Sequence, residues 1–340
     1  MSHLFSRLDH DALPSAPVHK TALIRLAAWL REQGYAFTTP TPATHARVAA
    51  RAPQQPAEDL RDVFGWSRCF KAALLPDQVL AWMRQGDVLR ASADGESLSC
   101  TVRFSTLDDG LFMHSAWPTE GRDAVFFGPE TYRFARFVQS NLPKVTTRQF
   151  TVCDVGCGSG AVGLLTSRWL GAAVQLHLVD INPAALETTR INAAIAGMHD
   201  AQVYTSNLLQ GVAPQPHLVI CNPPYLPDAE HRTYRDGGAD YGSEVSLRLV
   251  RQAIQHLAPG GRLLLYTGTA VVAGQHVLAR ALMPLLDGAA SKALLSYRYE
   301  ELDPDVFGEE LALPQMAEVE RIAVVGLTVQ MAPTRTAKWR

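Results

Sequence analysis

The spacing of apolar residues changes character part-way along the chain. In the first part apolar residues recur at intervals of three and four, as over 21–34, and this spacing predicts amphipathic helices. Shorter helices are predicted around 43–50 and 57–64. Pro76 opens another over 77–85, because proline is tolerated in the first turn of a helix. This first part is therefore predicted to be mainly helical.

Two stretches of alternating apolar and polar residues follow, over 98–104 and 111–114, on either side of Asp108-Asp109-Gly110. Alternation that flanks an Asp-Gly pair predicts a β-hairpin. Helices followed by a hairpin are compatible with a winged-helix-like module that recognises a substrate, whether nucleic acid or protein. The other interpretation is a module that only packs against the rest of the chain and shapes its cleft.

From a linker over 117–122 onwards, the pattern alternates between strands and helices. Strands that are apolar throughout and separated by helices predict an α/β domain, in which a mostly parallel sheet carries helices on both faces. A length of 340 residues also favours two domains, a mainly helical N-terminal module over 1–117 and the α/β domain over 118–340. The predicted strands and helices of the second domain are 132–142, 150–155, 161–170, 174–179, 218–221, 243–257, 262–267, 274–286, 293–299 and 322–329.

The charges of the chain are close to balanced, with a formal net charge of −2. This balance argues against a strongly basic nucleic-acid-binding protein, although a local basic face is compatible with the same average. No apolar run has the length of a signal-peptide core near the start or of an uncharged membrane span later. The protein is therefore predicted to be cytoplasmic, with no membrane partner. Its basic end, 335–340, is predicted to be disordered.

The cysteines predict neither a disulfide scaffold nor a metal site. They are few and form no Cys-x-x-Cys pair. Cys153 is predicted in a strand and Cys157 in a glycine turn, and no histidine lies at a spacing suited to zinc. Small buried apolar roles and no bound metal are therefore expected for Cys69, Cys100, Cys153, Cys157 and Cys221.

A glycine-rich turn follows the strand predicted over 150–155. Its sequence, Gly156-Cys157-Gly158-Ser159-Gly160, leads directly into a helix, so that a ligand can approach the helix N-terminus with no β-carbon in the way. Asp180 ends the next strand, where its carboxylate can accept hydrogen bonds from both hydroxyls of a ribose. A nicotinamide dinucleotide fold uses the same pieces but favours Gly-x-Gly-x-x-Gly. The present Gly-x-Gly-x-Gly, preceded by Asp154, suits a ligand without a pyrophosphate.

A second turn, Asn222-Pro223-Pro224-Tyr225, ends the apolar strand 218–221. Two consecutive prolines cannot extend a central strand, because they donate no hydrogen bonds to its neighbours. The turn presents an amide, a free carbonyl and an aromatic ring at the carboxyl edge of the sheet. The side-chain oxygen of Asn222 and the carbonyl of Pro223 can each accept one N–H of an NH2 group, while the ring of Tyr225 lies against the plane of that group.

Three motifs together resemble those of class I S-adenosylmethionine-dependent methyltransferases that act on nitrogen. They are Asp154–Gly160, Val179–Pro183 and the Asn-Pro-Pro-Tyr turn, each at the end of a predicted strand. The resemblance implies a Rossmann-like domain with a mostly parallel seven-stranded sheet. It also implies S-adenosyl-L-methionine as the cofactor, and no protein nucleophile or metal is then needed, because the work of the site is alignment.

Within that superfamily the chain is similar to release-factor glutamine N5-methyltransferases over roughly residues 98–285. Phe127-Gly128-Pro129-Glu130-Thr131 resembles their Pro-Arg-Pro-x-Thr-Glu segment, but the arginine is absent and Tyr132 stands in place of the glutamate. Asn207 also stands where relatives commonly carry an aspartate that accepts the adenine amino group. The resemblance implies catalytic roles for Asn222, Pro223 and Tyr225. It implies cofactor contacts for Thr131, Asp154, Gly156, Cys157, Gly158, Gly160, Asp180, Ile181, Asn207, Leu208 and Asn222.

The identity of the substrate is left open by the sequence. A protein glutamine side chain, as in a release factor, is the preferred target, and the near-neutral charge favours a protein partner. The alternative is an RNA or DNA base, at adenine N6 or guanine N2. A non-catalytic cofactor-binding regulator and a dehydrogenase are the other hypotheses. The loop 231–242, with Arg232 and Arg235, is interpreted as a substrate lid or as a solvated connector, without catalytic residues.

Overall fold

The computed structural model describes residues 18–333, apart from 54, 93–94, 146–148, 172–173, 214 and 229. The start of the chain and the basic end at 335–340, for which disorder was predicted, lie outside the described residues. No helix in the described part is both long and apolar enough to cross a membrane. The same residues contain no group of three or more histidine, cysteine or acidic side chains arranged to hold a metal ion.

The N-terminal part is mainly helical, and its helices close over one apolar core. Helix α4 spans the predicted residues, and it packs against α1 around Leu26, Leu30 and Met83, all of which are fully buried. The elements are α1 (Val18–Glu32), α2 (Pro42–Ala49), α3 (Leu60–Phe64), α4 (Asp77–Gln85), β1 (Leu89–Ala91), β2 (Leu98–Cys100), β3 (Val102–Leu107) and β4 (Gly110–Ser115).

The predicted hairpin is present as the antiparallel pair of β3 and β4, with Leu107 opposite Gly110. The single strand predicted over 98–104 is wrong, because the chain changes partner at Thr101. The N–H of Thr101 donates to the carbonyl of Val88. Strand β2 therefore pairs with β1, which the sequence did not indicate, and β3 leaves to pair with β4.

The second part alternates strands and helices as predicted, with four additions that the pattern did not indicate, the helices α7 and α8 and the strands β7 and β10. Its elements are α5 (Pro129–Ser140), β5 (Phe150–Val155), α6 (Ala161–Leu170), β6 (Val174–Asp180), α7 (Pro183–Ile195), β7 (Gln202–Thr205), β8 (Leu218–Cys221), α8 (Ala239–Gly242), α9 (Glu244–His256), β9 (Arg262–Val272), β10 (Gln275–His276), α10 (Val277–Ala290), β11 (Leu295–Asp303) and β12 (Arg321–Met331).

These strands form one sheet in the order β11-β12-β9-β8-β5-β6-β7, with the two-residue β10 paired to β9. The five strands from β9 to β7 run parallel, and β12 is antiparallel to both of its neighbours. Helices α5, α6 and α7 contribute to the apolar core on one face, and α9 and α10 to that on the other. The predicted mostly parallel sheet with helices on both faces is thus confirmed, with β10 as an additional short strand.

The strand order places two turns side by side. The chain leaves β5 towards β6 on one side and later returns to add β8 on the other, so the order reverses between β5 and β8. In open α/β sheets the crevice at such a reversal is where ligands bind. The turns that follow β5 and β8 are the glycine-rich turn and the Asn-Pro-Pro-Tyr turn.

The N-terminal part contacts the second part through α7 and α6. The side chain of Asn192 on α7 is fully buried, and it accepts a hydrogen bond from the N–H of Met113 at 2.8 Å. Its amide group donates to the carbonyls of Met113 and Ser159, at 2.9 and 2.8 Å. One side chain therefore joins β4 to the glycine turn. The domain boundary between 117 and 118 stays a prediction.

Candidate active site

A cavity of about 490 Å³ lies at the carboxyl edge of the sheet, within the size range of small-molecule sites. Gly160 does not line it, although a cofactor contact was predicted there. It stands at the start of α6 with a φ of 74°, and a β-carbon would lie 2.8 Å from Thr189. The structure does bring the other predicted residues to the cavity, namely Thr131, Asp154, Gly156, Cys157, Gly158, Asp180, Ile181, Asn207, Leu208, Asn222, Pro223 and Tyr225.

The glycine turn is built from backbone. Gly156 and Gly158 have φ values of 67° and 56°, in the left-handed region that favours glycine. Two successive N–H groups, of Gly156 and Cys157, donate to the carbonyl of Val179 at 2.8 and 3.0 Å. These bonds attach the turn to the end of β6. A β-carbon at either glycine would meet no atom within 4 Å, so the turn leaves open space beside it.

The carboxylate of Asp180 is held by backbone on both of its oxygens. Oδ2 accepts from the N–H of Gly158 at 3.0 Å, and Oδ1 accepts from the N–H of Asn182 at 2.9 Å. Burial raises the pKa of this carboxyl above its ordinary value. Each oxygen keeps a lone pair, so the group can still accept hydrogen bonds from two hydroxyls of a ligand.

Asp154, the acidic residue of β5, is only 2% exposed. Its Oδ2 atom accepts from the N–H of Gly163 in α6 at 3.0 Å. Burial, with a smaller contribution from the charge of Asp180, raises the pKa of Asp154 to about 8. A carboxyl with this pKa is sensitive to any cation that enters the cavity, because a nearby positive charge favours its ionised form.

The cavity lining includes Ile181, Leu208 and Asn207. Ile181 is 55% exposed, which is unusual for a large apolar side chain that lines a cavity. Asn207 lies in the same region, and its Oδ1 atom accepts from Nη2 of Arg248 at 3.2 Å. Since arginine only donates, this contact orients the amide with its oxygen towards Arg248. The sequence offered no signal for that contact.

The Asn-Pro-Pro-Tyr turn presents an unpaired acceptor to the cavity. Oδ1 of Asn222 is buried and accepts no hydrogen bond from any of the described residues. Buried polar atoms are nearly always paired, and leaving one without a partner costs about 1–3 kcal/mol. An unpaired oxygen at a cavity wall is therefore a place where a ligand donor is expected.

Tyr225, the last residue of this turn, is buried, but it still lines the cavity. Its ring lies over Gly268 of β9, so closely that a β-carbon at residue 268 would overlap it. The edge of the ring meets Phe307, with centroids 6.0 Å apart. The phenolic hydroxyl donates to Oε2 of Glu130 at 3.1 Å.

The loop 231–242, which follows this turn, forms a wall of the cavity and is attached to the turn. Leu226 forms a β-bridge with Asp236, and the N–H of Gly237 donates to the carbonyl of Leu226 at 2.9 Å. The two arginines of the loop have acidic partners within the chain. Arg232 binds Asp228 through two nitrogens, at 2.9 and 2.6 Å, and Arg235 is paired with Glu310.

The sequence of the second part matches a known family. Residues 123–283 match the family model described as the methyltransferase small domain. This part of the chain is a methyltransferase domain. It contains both turns and nearly all of the cavity lining, so the cavity belongs to the methyltransferase domain, whose Rossmann-like fold agrees with the prediction.

Relatives of the methyltransferase domain carry two kinds of name. A release factor glutamine methyltransferase from Deinococcus radiodurans is 34% identical over 148 residues, covering 40% of this chain and 51% of the relative. One from Moorella thermoacetica is 35% identical over 178 residues, covering 47% and 56%. A ribosomal RNA small subunit methyltransferase C from Pseudomonas aeruginosa is 32% identical over 112 residues, covering 33% and 30%. The chain thus spans little more than half the length of the relatives named for release factors.

Among solved structures, a tRNA m1G37 methyltransferase from M. jannaschii aligns with a TM-score of 0.44 at 13% identity. The alignment covers 69% of this chain and 58% of that one.

Sequence reasoning missed several residues of the methyltransferase domain that line the cavity. Glu130 lies inside the segment Phe127-Gly128-Pro129-Glu130-Thr131, in which only Thr131 was predicted to contact the cofactor. Phe126 and Tyr234 form a parallel stacked pair with centroids 6.0 Å apart, and they come from loops distant in sequence. One signal was available, because Tyr266 in the leucine-rich strand β9 needs a partner for its hydroxyl. That partner is Glu130, at 2.7 Å.

Proposed function

We propose that this protein is an S-adenosylmethionine-dependent N-methyltransferase that acts on a planar amide or amino nitrogen. The observation that carries the proposal is the buried, unpaired Oδ1 atom of Asn222 at the wall of the cavity. An acceptor in that place suits an incoming N–H donor. The match of residues 123–283 to a methyltransferase family supports the type of reaction.

The residues present fit S-adenosylmethionine. The open space beside the glycine turn suits close approach of a ligand, and Asp180 has lone pairs for two ribose hydroxyls. Ile181 would be covered by the flat face of an adenine, which accounts for its exposure. Asp154 offers a carboxylate for the positive charges of the cofactor. Asn207 stays proposed as a contact to the adenine, with its oxygen shared with Arg248.

Alignment of the substrate falls to the Asn-Pro-Pro-Tyr turn. S-adenosylmethionine, when bound, supplies a methyl group on a sulfonium sulfur, which is already electrophilic. Asn222 Oδ1 and the Pro223 carbonyl would each accept one N–H of the substrate and so aim its lone pair at that methyl group. Their oxygens also stabilise the positive charge that develops on the nitrogen as the N–C bond forms and the S–C electron pair returns to sulfur. The nitrogen then loses one proton to water.

A glutamine side chain of a protein is the preferred substrate. Four relatives that are 30–35% identical carry the name release factor glutamine methyltransferase. The chain is also nearly neutral overall. An amino group of an RNA or DNA base is the second candidate. It is favoured by the relatives named for ribosomal RNA, at 30–32% identity over 112 residues.

The test is methyl transfer from tritiated S-adenosylmethionine to a cell extract, divided into a protease-treated and a nuclease-treated half. Label that survives nuclease and is lost to protease supports a protein substrate, and the reverse pattern supports nucleic acid. Purified bacterial release factor is then the first defined acceptor to test. Failure of the protein to bind S-adenosylmethionine by calorimetry would refute the proposal as a whole.

A further inference from the structure

The ring of Tyr225 is confined on three sides while it lines the cavity. Gly268 lies behind its face, Phe307 meets its edge, and Glu130 accepts its hydroxyl hydrogen. A side chain held in this way has one orientation available, because a rotation would have to break the hydrogen bond or push the ring into β9. The ring is therefore a fixed wall beside Asn222.

Glu130 is the centre of this arrangement. Its Oε2 atom accepts from Tyr225 at 3.1 Å and from Tyr266 at 2.7 Å, while Oε1 accepts from Nη1 of Arg133 at 2.6 Å. Arg133 is in turn paired with Asp303 at 3.2 Å. Three donors therefore converge on one buried carboxyl group, whose oxygens are the acceptors in all three contacts.

The positions of these residues in the chain explain why they meet. Tyr266 and Gly268 are two residues apart on β9, so they point to the same face of the sheet. Glu130 lies in the first turn of α5, where the helix dipole favours a negative charge. Burial raises the pKa of both tyrosines well above the ordinary value, and the negative charge of Glu130 acts in the same direction. Both phenols therefore remain donors.

We propose that Glu130 is a positioning residue, which holds the Tyr225 ring and through it the Asn222 and Pro223 acceptors in the geometry needed for methyl transfer. This inference rests on the proposed function. Glu130 acts through Tyr225 and needs no contact with substrate. Gly268 serves the same purpose from behind, since the absence of a β-carbon is what lets the ring lie against the sheet.

The kinetic test uses Glu130→Gln, Tyr225→Phe and the double variant, with tritiated S-adenosylmethionine and purified release factor as acceptor. We expect each single change to lower kcat about tenfold, and the double change to lower it no further than Glu130→Gln alone, because both changes act on the hydrogen bond from Tyr225 to Glu130. The Kd for S-adenosylmethionine and the KM for the acceptor should stay within about twofold. Additive losses in the double variant, or an unchanged kcat in Glu130→Gln, would overturn the inference.

A second test displaces the Tyr225 ring without removing its hydrogen bond to Glu130. In Gly268→Ala the new methyl group displaces the Tyr225 ring towards the cavity, so kcat should fall by more than about tenfold. The matched control is Gly288→Ala on α10, where a β-carbon would meet nothing within 4 Å, and it should keep wild-type kcat. Equal kcat values in the two variants would count against a positioned ring.

A readout without a substrate separates this inference from the proposed function. In protein that carries 13C-labelled tyrosine rings, the Tyr225 signal can be assigned from its loss in Tyr225→Phe. We expect Glu130→Gln to shift and broaden that signal, while Arg25→Gln, an exposed change on α1, leaves it in place. An unmoved Tyr225 signal in Glu130→Gln refutes the positioning role, whatever the activity. Wild-type protein that transfers no methyl group but shows the shift would refute the proposed function alone.

Discussion

The glycine turn after β5 is fixed by hydrogen bonds of its backbone to β6 and α7, which follow it closely in the chain, whereas the Asn-Pro-Pro-Tyr turn after β8 is fixed by side chains from distant elements. Gly156 and Cys157 donate to one carbonyl of the neighbouring strand, and Asp180 binds backbone N–H groups on both oxygens. Tyr225, in contrast, depends on Glu130 in α5 and on Gly268 in β9. The proposed cofactor end of the cavity is thus held by elements that are near in sequence, and the proposed substrate end by elements that are distant in sequence.

This contrast predicts that changes at the substrate end lower turnover and spare cofactor affinity. The largest effect is expected for Asn222→Ala, which removes the unpaired acceptor. We expect kcat to fall at least about a hundredfold, as for the loss of one preorganised hydrogen-bonding group in an active site. The Kd for S-adenosylmethionine, measured by calorimetry, should stay within about threefold, because the proposed function assigns this oxygen to an N–H of the substrate. Gln210→Ala, an exposed change on the same edge of the sheet, serves as the control. Normal turnover in Asn222→Ala would refute the assigned role.

At the cofactor end the order of effects should be reversed. Asp180→Ala removes the acceptor proposed for the ribose hydroxyls and also leaves the N–H groups of Gly158 and Asn182 without their partner. We expect the Kd for S-adenosylhomocysteine to rise about a hundredfold, from the loss of charge-assisted hydrogen bonds. Calorimetry measures this Kd directly. A Kd equal to that of the wild-type protein would show that Asp180 stabilises the turn and does not bind the cofactor.

The raised pKa of Asp154 predicts that the affinity for S-adenosylmethionine depends on pH. Below about pH 8 this carboxyl is increasingly protonated in the free protein. In the proposed function the positive charge of bound S-adenosylmethionine favours the ionised form, so binding should release a proton from Asp154. Affinity should therefore rise with pH, by at most about tenfold per pH unit, and level off above about pH 8. Titrations from pH 6 to 9, compared with Asp154→Asn in the same buffers, isolate this group. Parallel pH profiles for the two proteins would contradict the prediction.

The smallest effect is expected at Asn207. Asn207→Asp adds charge to the acceptor near the proposed adenine position, and we expect the Kd for S-adenosylhomocysteine to fall roughly threefold. The site is exposed and Arg248 already occupies the oxygen, which limits the gain. Gln210→Glu adds the same charge close by and keeps the hydrogen bond from its backbone N–H to the carbonyl of Asn207. An identical change of Kd in both variants would indicate a general charge effect.

The contrast between the two turns also explains how much of the structure could be predicted from the sequence. Strand β5, helix α6 and the turn between them follow from a local pattern, and the structure reproduces them residue by residue. The Asn-Pro-Pro-Tyr turn was also visible, because prolines end a strand wherever they occur.

The contacts behind Tyr225 were not predictable in this way. Glu130 is 95 residues from Tyr225 and 136 from Tyr266, and no periodicity relates positions that far apart. The change of partner at Thr101 was hidden for a related reason, because alternation reports which face a residue occupies and not which strand lies beside it. Gly160 lies outside the cavity lining, at a position where a β-carbon would lie 2.8 Å from Thr189, and its cofactor contact stays a prediction.

The hydrogen bonds between the Asn192 amide and the backbone of Met113 predict different tolerance to substitution at positions 192 and 113. The amide binds the backbone N–H and carbonyl of Met113, so any residue that fits the core and keeps an N–H serves at position 113. At position 192 only an amide of this length offers one acceptor and two donors in the same place. In a library of single substitutions, position 113 should accept several apolar residues and reject proline, while position 192 should accept almost none.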